Sequence, residues 1–296
     1  MRSFLYWFFA VVITLTAAFY QRLTGPTHPK RVEISINGEK TKLRLVRSLG
    51  LDEPSRVKLH IKDESVKATL YYKRYKSGDP YSASEFQYKV FPVNSFLMNK
   101  VFKITEERGL FADVPQQPAA GKLQYYIEIT DRNGKALLLK EEPVVIRFKG
   151  GVPNFVLVPH IFIMFFAMLL STLAGLLAIG GRPSHKKYGL WTFILLLLGG
   201  MILGPVVQKF AFGEFWTGIP FAWDLTDNKT LFAFLFWILA VVMNRKRNRP
   251  VYTIIASIVM LMVYSIPHSM YGSELNPETG KVIQGMIQLL TAGLPG

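Results

Sequence analysis

Residues 155–179, FVLVPHIFIMFFAMLLSTLAGLLAI, form a long apolar run that decides the class of this chain. A hydrocarbon core about 30 Å thick is crossed by about 20 apolar residues in a helix, so the run predicts a membrane span. Further apolar segments occupy 4–20, 188–207, 230–243 and 250–267. The sequence therefore predicts five α-helical transmembrane spans.

Charged residues in the connections between these spans are segregated by sign. The two short connections carry only bases, whereas every acid after residue 153 lies in the long connection near 208–229 or in the C-terminal tail. The bases are Arg182, Lys186, Lys187, Arg245, Lys246, Arg247 and Arg249, and the acids are Glu214, Asp224, Asp227, Glu274 and Glu278. Short loops rich in Lys and Arg stay in the cytoplasm. The pattern predicts a cytoplasmic N-terminus and places residues 22–153 and the C-terminus outside the cytoplasm.

The first span has two interpretations. Residues 4–20 follow Arg2 and are near the lower length limit for a membrane helix. A cleaved signal peptide is the alternative, but its apolar region would be unusually long and aromatic, and TAAF at 16–19 is a poor cleavage site. We predict an uncleaved membrane anchor over residues 1–21.

Residues 22–153 carry the alternating pattern of short strands. Apolar and polar residues alternate on both sides of Asn37-Gly38, a pair typical of type I′ hairpin turns, and DRNG at 131–134 predicts a second hairpin. The predicted strands lie at 32–36, 43–47, 56–62, 66–75, 85–91, 100–105, 123–130, 135–140 and 143–148. About seven to nine short strands with frequent turns indicate an antiparallel β-sandwich.

Residues 114–134, VPQQPAAGKLQYYIEITDRNG, resemble the late strands of immunoglobulin- or fibronectin-III-like domains of bacterial envelope proteins. In those domains a proline-bearing loop leads into an aromatic central strand and a D-x-N-G turn. The resemblance implies an immunoglobulin-like sandwich with a binding role, but it does not identify a ligand. The membrane region around Trp216-Thr217-Gly218 and residues 224–229 also resembles uncharacterised bacterial envelope proteins. This implies a bacterial inner-membrane protein with a periplasmic β-domain.

These patterns divide the chain into an N-terminal anchor at 1–21, an extracytoplasmic β-sandwich at 22–153, a four-helix transmembrane region at 154–270 and an extracytoplasmic or interfacial tail at 271–296. Residues 22–153 hold 24 Lys and Arg against 15 Asp and Glu, a net charge of 24 − 15 = +9. Because this domain lies outside the cytoplasm, we expect no nucleic acid as a partner. The lipid bilayer and an acidic envelope or membrane protein are expected instead. A solvated basic surface without a specific partner is the alternative.

Several chemistries lack the residues that they need. The chain has no cysteine, which excludes disulfides, thiolate metal sites, iron–sulfur clusters and cysteine nucleophiles. The hydrolase motifs GxSxG and HExxH do not occur in the sequence. Coupled transporters place ionisable residues near mid-membrane, and the central parts of spans two to five contain none. His185, in a basic connection, is predicted to be a solvated loop residue.

Two histidines are predicted to share one depth, with His160 about one turn into the second span and His268 at the end of the fifth. Met164 lies one helical turn after His160, and Met270 lies near His268. Two imidazoles on different helices are what haem b needs as axial ligands, and His with Met suits haem or copper. The cations that could meet haem propionates at that face are Lys209 and Lys229. The alternative is that both histidines reach lipid headgroups or cap helix ends.

The connection at 205–229 is dense in aromatic residues, which indicates a segment at the level of the lipid headgroups. Its candidate site residues are Glu214, Trp216, Trp223, Asp224 and Asp227. We expect a structured lid over the histidine pair, with Thr226 or Asp227 as the N-cap of the fourth span. A cation site formed by Glu214, Asp224, Asp227 and Glu274 is the alternative, although the spacing does not match a calcium loop.

The patterns favour a non-enzymatic function. We predict an integral membrane protein whose β-sandwich binds or assembles a partner, with the helix bundle as its anchor. A membrane electron-transfer subunit that holds haem b or copper through His160 and His268 is the alternative function. Sensing of an envelope ligand is a third interpretation, and no cytoplasmic output domain in this sequence supports it.

Overall fold

The structure is a computed structural model that describes residues 2–93, 99–100, 102–103, 105–131, 134–268, 273–276, 279–280 and 282–284. The chain forms two compact units. The helical unit comprises Met1–Pro26, Gly150–Glu274 and Val282–Gly296, and the β unit comprises Thr27–Lys149 and Leu275–Lys281. Of the predicted features, Met270, Glu278 and the tail beyond residue 284 lie outside the described residues.

The helical unit is built from apolar helices. In chain order they are α1 (Arg2–Thr24), α2 (Asn154–Ile179), α3 (His185–Leu195), a π-helix (Leu196–Leu203), α4 (Gly204–Phe212), α5 (Leu225–Lys246) and α6 (Pro250–Ser265). In the described part of the chain, the helices that are long and apolar enough to cross a membrane are Ser3–Thr24, Asn154–Ile179, His185–Phe212 and Leu225–Lys246. The segment predicted as a fifth span is α6, an apolar helix of 16 residues, about 24 Å long at 1.5 Å per residue.

Helix α2 is the most buried of these membrane-length helices, because 56% of its most apolar 18-residue stretch is buried inside the protein. It approaches α6 closely where Gly175 faces Ser257, because a Cβ on Gly175 would lie 2.7 Å from the Ser257 Cβ. The Ser257 hydroxyl donates to the Ser171 carbonyl at 2.8 Å in the same contact. A small residue and an interhelical hydrogen bond therefore join α2 to α6, as is common between helices in lipid.

The third predicted span, 188–207, is interrupted by the π-helix. Two glycines of this segment lie where neighbouring helices approach. A Cβ on Gly199 would lie 2.8 Å from the Met164 sulfur of α2, and a Cβ on Gly200 would lie 2.9 Å from Thr230 Cγ2 of α5. The π-helix packs against both helices because these positions have no side chain.

The strands of the β unit are β1 (Lys30–Ile36), β2 (Glu39–Leu45), β3 (Ser48–Gly50), β4 (Arg56–Leu59), β5 (Lys67–Arg74), β6 (Ser82–Glu85), β7 (Gln87–Pro92), β8 (Glu106–Asp113), β9 (Lys122–Asp131), β10 (Gly134–Leu138) and β11 (Val144–Lys149). The chain also contains β12 (Ser273–Leu275) and β13 (Val282–Gln284). The predicted hairpin between β1 and β2 is confirmed. Asn37, with φ 51°, and Gly38, with φ 85°, have the positive φ angles of a type I′ turn.

Two sheets share one core in the β unit, beside the β1–β2 hairpin. One sheet runs β3-β11-β9-β5-β6, with β10 also paired to β9, and the other runs β4-β8-β7. Strand β3 is parallel to β11, whereas β9 is antiparallel to both of its neighbours along the path. Alternate residues of β9 are buried: Leu123, Tyr125, Ile127 and Ile129. These side chains meet those of β4 and β8 in a single hydrophobic cluster.

The strands of the β unit differ from the prediction in three places. The strand predicted at 85–91 is two strands, β6 and β7, which belong to different sheets on either side of the buried Phe86. The strand predicted at 100–105 includes residues 101 and 104, which lie outside the described part of the chain, and the described residues 102, 103 and 105 are not in a strand. The strand that follows, β8, was not predicted because its first half is exposed and polar. Strand β3 was not predicted because three residues are too short for an alternating pattern.

Candidate functional site

The predicted site residue His160 is oriented by the π-helix. Its Nδ1–H donates a hydrogen bond to the Gly199 carbonyl at 3.0 Å, since a carbonyl oxygen can only accept. The same carbonyl accepts from the N–H of Gly204, an i+5 bond of the π-helix. The hydrogen bond fixes the tautomer of the neutral ring, so Nε2 of His160 carries a lone pair.

His160 lines a cavity of about 200 Å³ inside the helical unit. His268 and Met164 line the same cavity, so the structure brings these three predicted ligand residues together. Met270, the fourth, lies outside the described residues. The other lining residues are Ala18, Gln21, Ile161, Phe165, Lys229, Thr230, Val263 and Tyr264. Most of the exposed area of this wall is apolar, although its lining includes the polar side chains of Gln21, His160, Lys229, Thr230, Tyr264 and His268.

Lys229 supplies a cation to the cavity. Its side chain is only 7% exposed, and Nζ donates to the Ile266 carbonyl at 2.6 Å and lies 3.5 Å from the Pro267 carbonyl. These carbonyls follow the last turn of α6, where a cation is favoured by the helix dipole. Among the described residues, no carboxylate lies within ion-pair distance of Lys229. The other predicted cation, Lys209, donates to the Gly213 carbonyl at 2.6 Å and does not line the cavity.

Gln21 of α1 caps the same end of α6. Its Nε2 donates to the Tyr264 carbonyl at 2.6 Å and to the Ile266 carbonyl at 3.2 Å. The Tyr264 hydroxyl in turn donates to the Met164 carbonyl at 2.7 Å. Backbone carbonyls therefore hold four polar side chains of the cavity in place: Gln21, His160, Lys229 and Tyr264.

His268 follows α6 and makes no hydrogen bond to another described residue. Its side chain remains accessible at the cavity wall. The protein around the ring lowers the pKa of His268 below its usual value, and the charges of Lys229 and His160 lower it further. A lowered pKa keeps this imidazole neutral at pH 7.

The cavity offers weak support for a metal or a haem. In the described part of the chain, no group of three or more His, Cys, Asp or Glu side chains is placed to hold a metal ion. The Lys229 ammonium would repel a cation bound beside it. A cavity of about 150 Å³ holds one benzene ring, whereas a porphyrin contains four pyrrole rings. The observed volume of about 200 Å³ is therefore small for a haem.

The aromatic connection, residues 213–224, is fastened to the start of α5. The Asp227 carboxylate accepts from the Thr217 N–H at 2.6 Å, and the Asn228 side-chain carbonyl accepts from the Ile219 N–H at 2.7 Å. Residues 213–224 are all described, and none of them is among the residues that line the cavity. We call this segment, which is hydrogen-bonded to α5, the clasp. It contributes no residue to the cavity wall, so it does not form the lid that was predicted over the histidine pair.

The N-cap of α5 is Asp224, which corrects the prediction of Thr226 or Asp227. The Asp224 side chain accepts from the backbone N–H groups of Thr226 and Asp227, the first at 2.7 Å. Asp224 and Asp227 are buried, and both carboxylates are bonded to backbone N–H groups. Their burial is therefore explained by the local fold of the clasp.

The remaining predicted residues of this segment do not assemble a cation site. Glu214 is exposed, whereas Glu274 is buried, and no cluster of acids for a metal is found among the described residues. Trp216 donates from Nε1 to the Ile219 carbonyl at 3.1 Å. Trp223 is 53% exposed, as expected for a ring at a lipid headgroup level.

A polar cluster around His185 was missed by the sequence analysis. His185, predicted to be solvated, is 1% exposed. Its Nε2 donates to the Asn248 side-chain carbonyl at 2.9 Å, and its Nδ1 accepts from the Thr253 hydroxyl at 3.0 Å. The Thr253 oxygen also accepts from Asn244 Nδ2 at 3.2 Å. This cluster borders a second cavity, of about 490 Å³, whose lining includes Lys186, Trp237 and Arg245.

The β unit carries a group of side chains that we call the Tyr–Lys face: Tyr71, Lys73, Tyr81, Gln124 and Tyr126. The rings of Tyr71 and Tyr126 stack with centroids 4.9 Å apart, and Tyr81 meets Tyr126 edge-on at 5.0 Å. Lys73 Nζ lies 5.1 Å from the Tyr81 ring centroid, and Gln124 Nε2 donates to the Tyr81 hydroxyl at 2.7 Å. The members on β5 and β9 alternate with buried core residues, so they point away from the core.

The Tyr–Lys face extends by one more residue pair, formed by the residue that follows β5 and the first residue of β9. The Tyr75 N–H donates to the Lys122 carbonyl at 3.1 Å, and the ammonium of Lys122 lies 5.2 Å from the Tyr75 ring centroid. Burial, with Tyr71 and Tyr81 beside it, raises the pKa of Tyr126. Its phenol therefore stays protonated at neutral pH and can donate a hydrogen bond. The signal in the sequence is the i, i+2 spacing of Tyr71 with Lys73 and of Gln124 with Tyr126.

Comparisons with family models, with curated proteins and with solved structures find no match to this chain. The functional inference therefore depends on two features of the molecule. One is the cavity of the helical unit at His160 and His268, and the other is the Tyr–Lys face of the β unit.

Proposed function

We propose that this protein is a membrane-anchored binding protein, in which the β unit recruits an acidic protein partner and the helices hold it at the membrane. The observation that carries the proposal is the Tyr–Lys face. Tyrosines are enriched in binding sites because they offer a large contact area and lose little conformational entropy. Here three half-buried tyrosines are already ordered by ring contacts and by the Gln124 hydrogen bond.

Charge complementarity favours an acidic partner. Lys73 lies over the Tyr81 ring, and Lys76 and Lys122 lie over Tyr75, so ammonium groups are interleaved with the rings. Residues 22–153 have a net charge of +9. A basic surface steers acidic molecules towards it and raises their rate of association.

The order of strands in the β unit supports an immunoglobulin-like sandwich. In that fold one sheet holds the strands usually lettered G, F and C, and the other holds B, E and D. Strands β11, β9 and β5 occupy the first set of places, and β4, β8 and β7 occupy the second. Such sandwiches serve many functions, so the binding role depends on the Tyr–Lys face and not on the fold.

The bases in the short connections support an orientation. We infer that α6 completes a set of five spans, that Arg182–Lys187 and Arg245–Arg249 face the cytoplasm, and that the β unit and the C-terminus face the periplasm of a bacterial inner membrane. The five spans would then be α1, α2, α3 to α4, α5 and α6. This orientation presents the Tyr–Lys face to other envelope proteins.

Site-specific photo-crosslinking in cells that express the full chain tests the proposal. A photoreactive phenylalanine analogue at Tyr81 should form a discrete adduct with an acidic envelope or membrane protein. The same analogue at Val90, an exposed position on β7 of the other sheet, is the control and should form none. The adduct at Tyr81 should disappear with Lys73→Glu and persist with Lys89→Glu, which reverses a charge on β7.

Two results would contradict the binding role. One is an equal yield of adducts from Tyr81 and Val90, which would indicate random collision. The other is an adduct at Tyr81 that survives Lys73→Glu as well as it survives Lys89→Glu, because the charge of the face would then be irrelevant.

Electron transfer through haem b or copper is the second candidate, and the shared cavity of His160 and His268 is the observation that favours it. The hydrogen bond from His160 to the Gly199 carbonyl also resembles the outer-shell support of metal-bound imidazoles. The small volume and the Lys229 charge weigh against it. If the purified protein has a Soret band, and if His160→Ala and His268→Ala each abolish it, the cavity binds haem. Electron transfer would then replace the amphiphile binding that is proposed for this cavity below.

A further inference from the structure

We propose that the cavity at His160 and His268 binds the anionic head and first carbons of a single-chain amphiphile, such as a fatty acid, taken from the membrane. This proposal concerns the helical unit and stands independently of partner binding by the β unit. Four features of the described residues lead to it: a cation, neutral polar groups, an apolar wall and an opening to the surface of the helices.

The first feature is a buried cation with donors to spare. The Lys229 ammonium has three N–H groups, and its described partners are two backbone carbonyls, the nearer at 2.6 Å. Among the described residues no carboxylate lies within ion-pair distance of it. A carboxylate or phosphate head would therefore meet a cation in surroundings of low dielectric constant, where the attraction is strong.

The nearby carboxylates do not occupy the cavity. Asp224 and Asp227, five and two positions before Lys229, accept hydrogen bonds from backbone N–H groups of the clasp and of α5. Neither is among the residues that line the cavity. Among the described residues that line the cavity, the side chain with a formal charge is thus Lys229, which favours an anion over a cation.

Two imidazoles complete the polar part of the wall. A neutral ring at His268 presents one N–H donor and one acceptor. Nε2 of His160 accepts, because its Nδ1–H is bonded to the Gly199 carbonyl. This combination suits an anionic head with a neighbouring hydroxyl or water.

The apolar part of the wall leads to the lipid-facing surface. Ile161 lines the cavity and is also 54% exposed on the outside of α2. Its neighbour Phe162 is 59% exposed, so the cavity opens onto an apolar surface. In a membrane this surface contacts acyl chains, and an amphiphile can insert its head while its tail remains in lipid.

The volume limits what enters. At about 30 Å³ for each water-sized group, a cavity near 200 Å³ holds a head and a few methylenes. The two chains of a phospholipid do not fit inside it. A single chain can leave through the opening at Ile161.

The test uses the purified full chain in nanodiscs of phosphatidylcholine, with decanoate as the probe and native mass spectrometry as the measurement. Decanoate should bind saturably, at one molecule per chain. Decyltrimethylammonium, which has the same chain and the opposite charge, should not compete with it. Inorganic phosphate should not compete either, because it lacks the chain that contacts the apolar wall.

Two variants locate the site. Lys229→Gln keeps an N–H donor for the Ile266 carbonyl but removes the charge, so the affinity for decanoate should fall about tenfold. Val263→Phe fills the cavity and should abolish saturable binding. Lys186→Gln is the matched control, because it removes the same charge from the second cavity near His185 and should leave the affinity unchanged.

Any of four results would overturn the proposal. They are competition by decyltrimethylammonium, competition by inorganic phosphate as strong as that of decanoate, unchanged binding in both Lys229→Gln and Val263→Phe, and a Soret band that shows haem in the cavity. If Lys229→Gln does not fold, Val263→Phe and the pair of charged probes still decide the question.

Discussion

Two histidines near opposite ends of α2 show how a side chain that holds a fold differs from one that is available to a ligand. His185 is 1% exposed, and both of its ring nitrogens are bonded to side chains, Asn248 and Thr253. His160 donates a hydrogen bond from Nδ1 to the Gly199 carbonyl, and its ring lines a cavity. Their surroundings differ accordingly, with amide and hydroxyl partners at His185 and an apolar wall with one cation at His160.

The difference lies in how the polar groups are satisfied. Buried polar atoms are nearly always hydrogen-bonded, and a closed network is a structural feature. Around His185 the network closes within the protein, since Asn244 and Thr253 complete it. At the other end, the hydrogen bonds that Lys229 and His160 make within the described part of the chain go to backbone carbonyls, and their remaining donors and acceptors can serve a ligand.

The sharpest test of this contrast is a pair of histidine substitutions. His185→Ala should lower the free energy of unfolding by about 3 kcal/mol, because it leaves a hole and removes the partner of a buried hydroxyl. His160→Ala should cost about 1 kcal/mol, since the Gly199 carbonyl keeps the N–H of Gly204. Unfolding in mixed detergent micelles measures both values. Equal losses would erase the distinction between the two sites.

A pair of glycine substitutions tests how the π-helix positions His160. A Cβ on Gly199 would lie 2.8 Å from the Met164 sulfur and from Ile163 Cγ2, so Gly199→Ala should destabilise the protein by about 2 kcal/mol through overpacking. Gly204→Ala is the control, because its Cβ would meet a carbonyl oxygen at an ordinary 3.6 Å. It should change the stability by less than about 0.5 kcal/mol. A Gly199→Ala variant as stable as Gly204→Ala would argue against close packing at the π-helix.

A substitution at the start of α5 tests whether the clasp is structural. Asp224→Ala removes the N-cap and should cost about 1 kcal/mol of stability. Glu214→Ala, at an exposed position of the same connection, should be close to neutral. If Glu214→Ala were the more damaging of the two, the acids of this connection would have a role other than capping.

The smallest expected effect is a pH dependence due to His268. Its pKa is lowered in the folded protein, chiefly because the surrounding protein displaces water from the ring and then by the charges of Lys229 and His160, whereas the unfolded ring titrates near about 6.5. Below that pH the unfolded state binds more protons than the folded state, so stability falls as the pH drops. His268→Gln should flatten this fall between about pH 6.5 and 5, and His28→Gln should not. Parallel stability curves for the wild type and His268→Gln would contradict the shift.

The sequence predicted most of the secondary structure because long apolar runs and strict alternation are local signals. The hairpin at Asn37-Gly38 is confirmed by two positive φ angles, and four of the predicted spans correspond to helices apolar enough to cross a membrane. Strand β8 escaped prediction because its first half is polar and exposed. The π-helix could not be predicted, because a run of apolar residues looks the same whether its backbone forms i+4 or i+5 hydrogen bonds.

The parts of the candidate sites that the sequence did not predict depend on contacts between distant segments. The order of the spans was enough to predict that His160 and His268 lie close together. The capping of α6 could not be predicted, because Gln21 is more than 240 positions from the carbonyls that it caps and Lys229 is about 40 positions from its own. The network of His185 with Thr253 spans 68 positions and gave no local signal. The Tyr–Lys face was present as an i, i+2 pattern but needed the pairing of β5 with β9 to bring its rings together.

In the proposed orientation, the helices anchor the β unit on the side of the membrane opposite the basic connections, where its Tyr–Lys face can meet a partner. The natural chain has no cysteine, so single cysteines report accessibility without a background. Both Lys62, in the β unit, and Lys187, after α2, are exposed. In cells with a permeabilised outer membrane, an impermeant maleimide should label Lys62→Cys and should label Lys187→Cys only after the inner membrane is broken. Labelling of Lys187→Cys in cells with an intact inner membrane, with Lys62→Cys protected, would contradict the account.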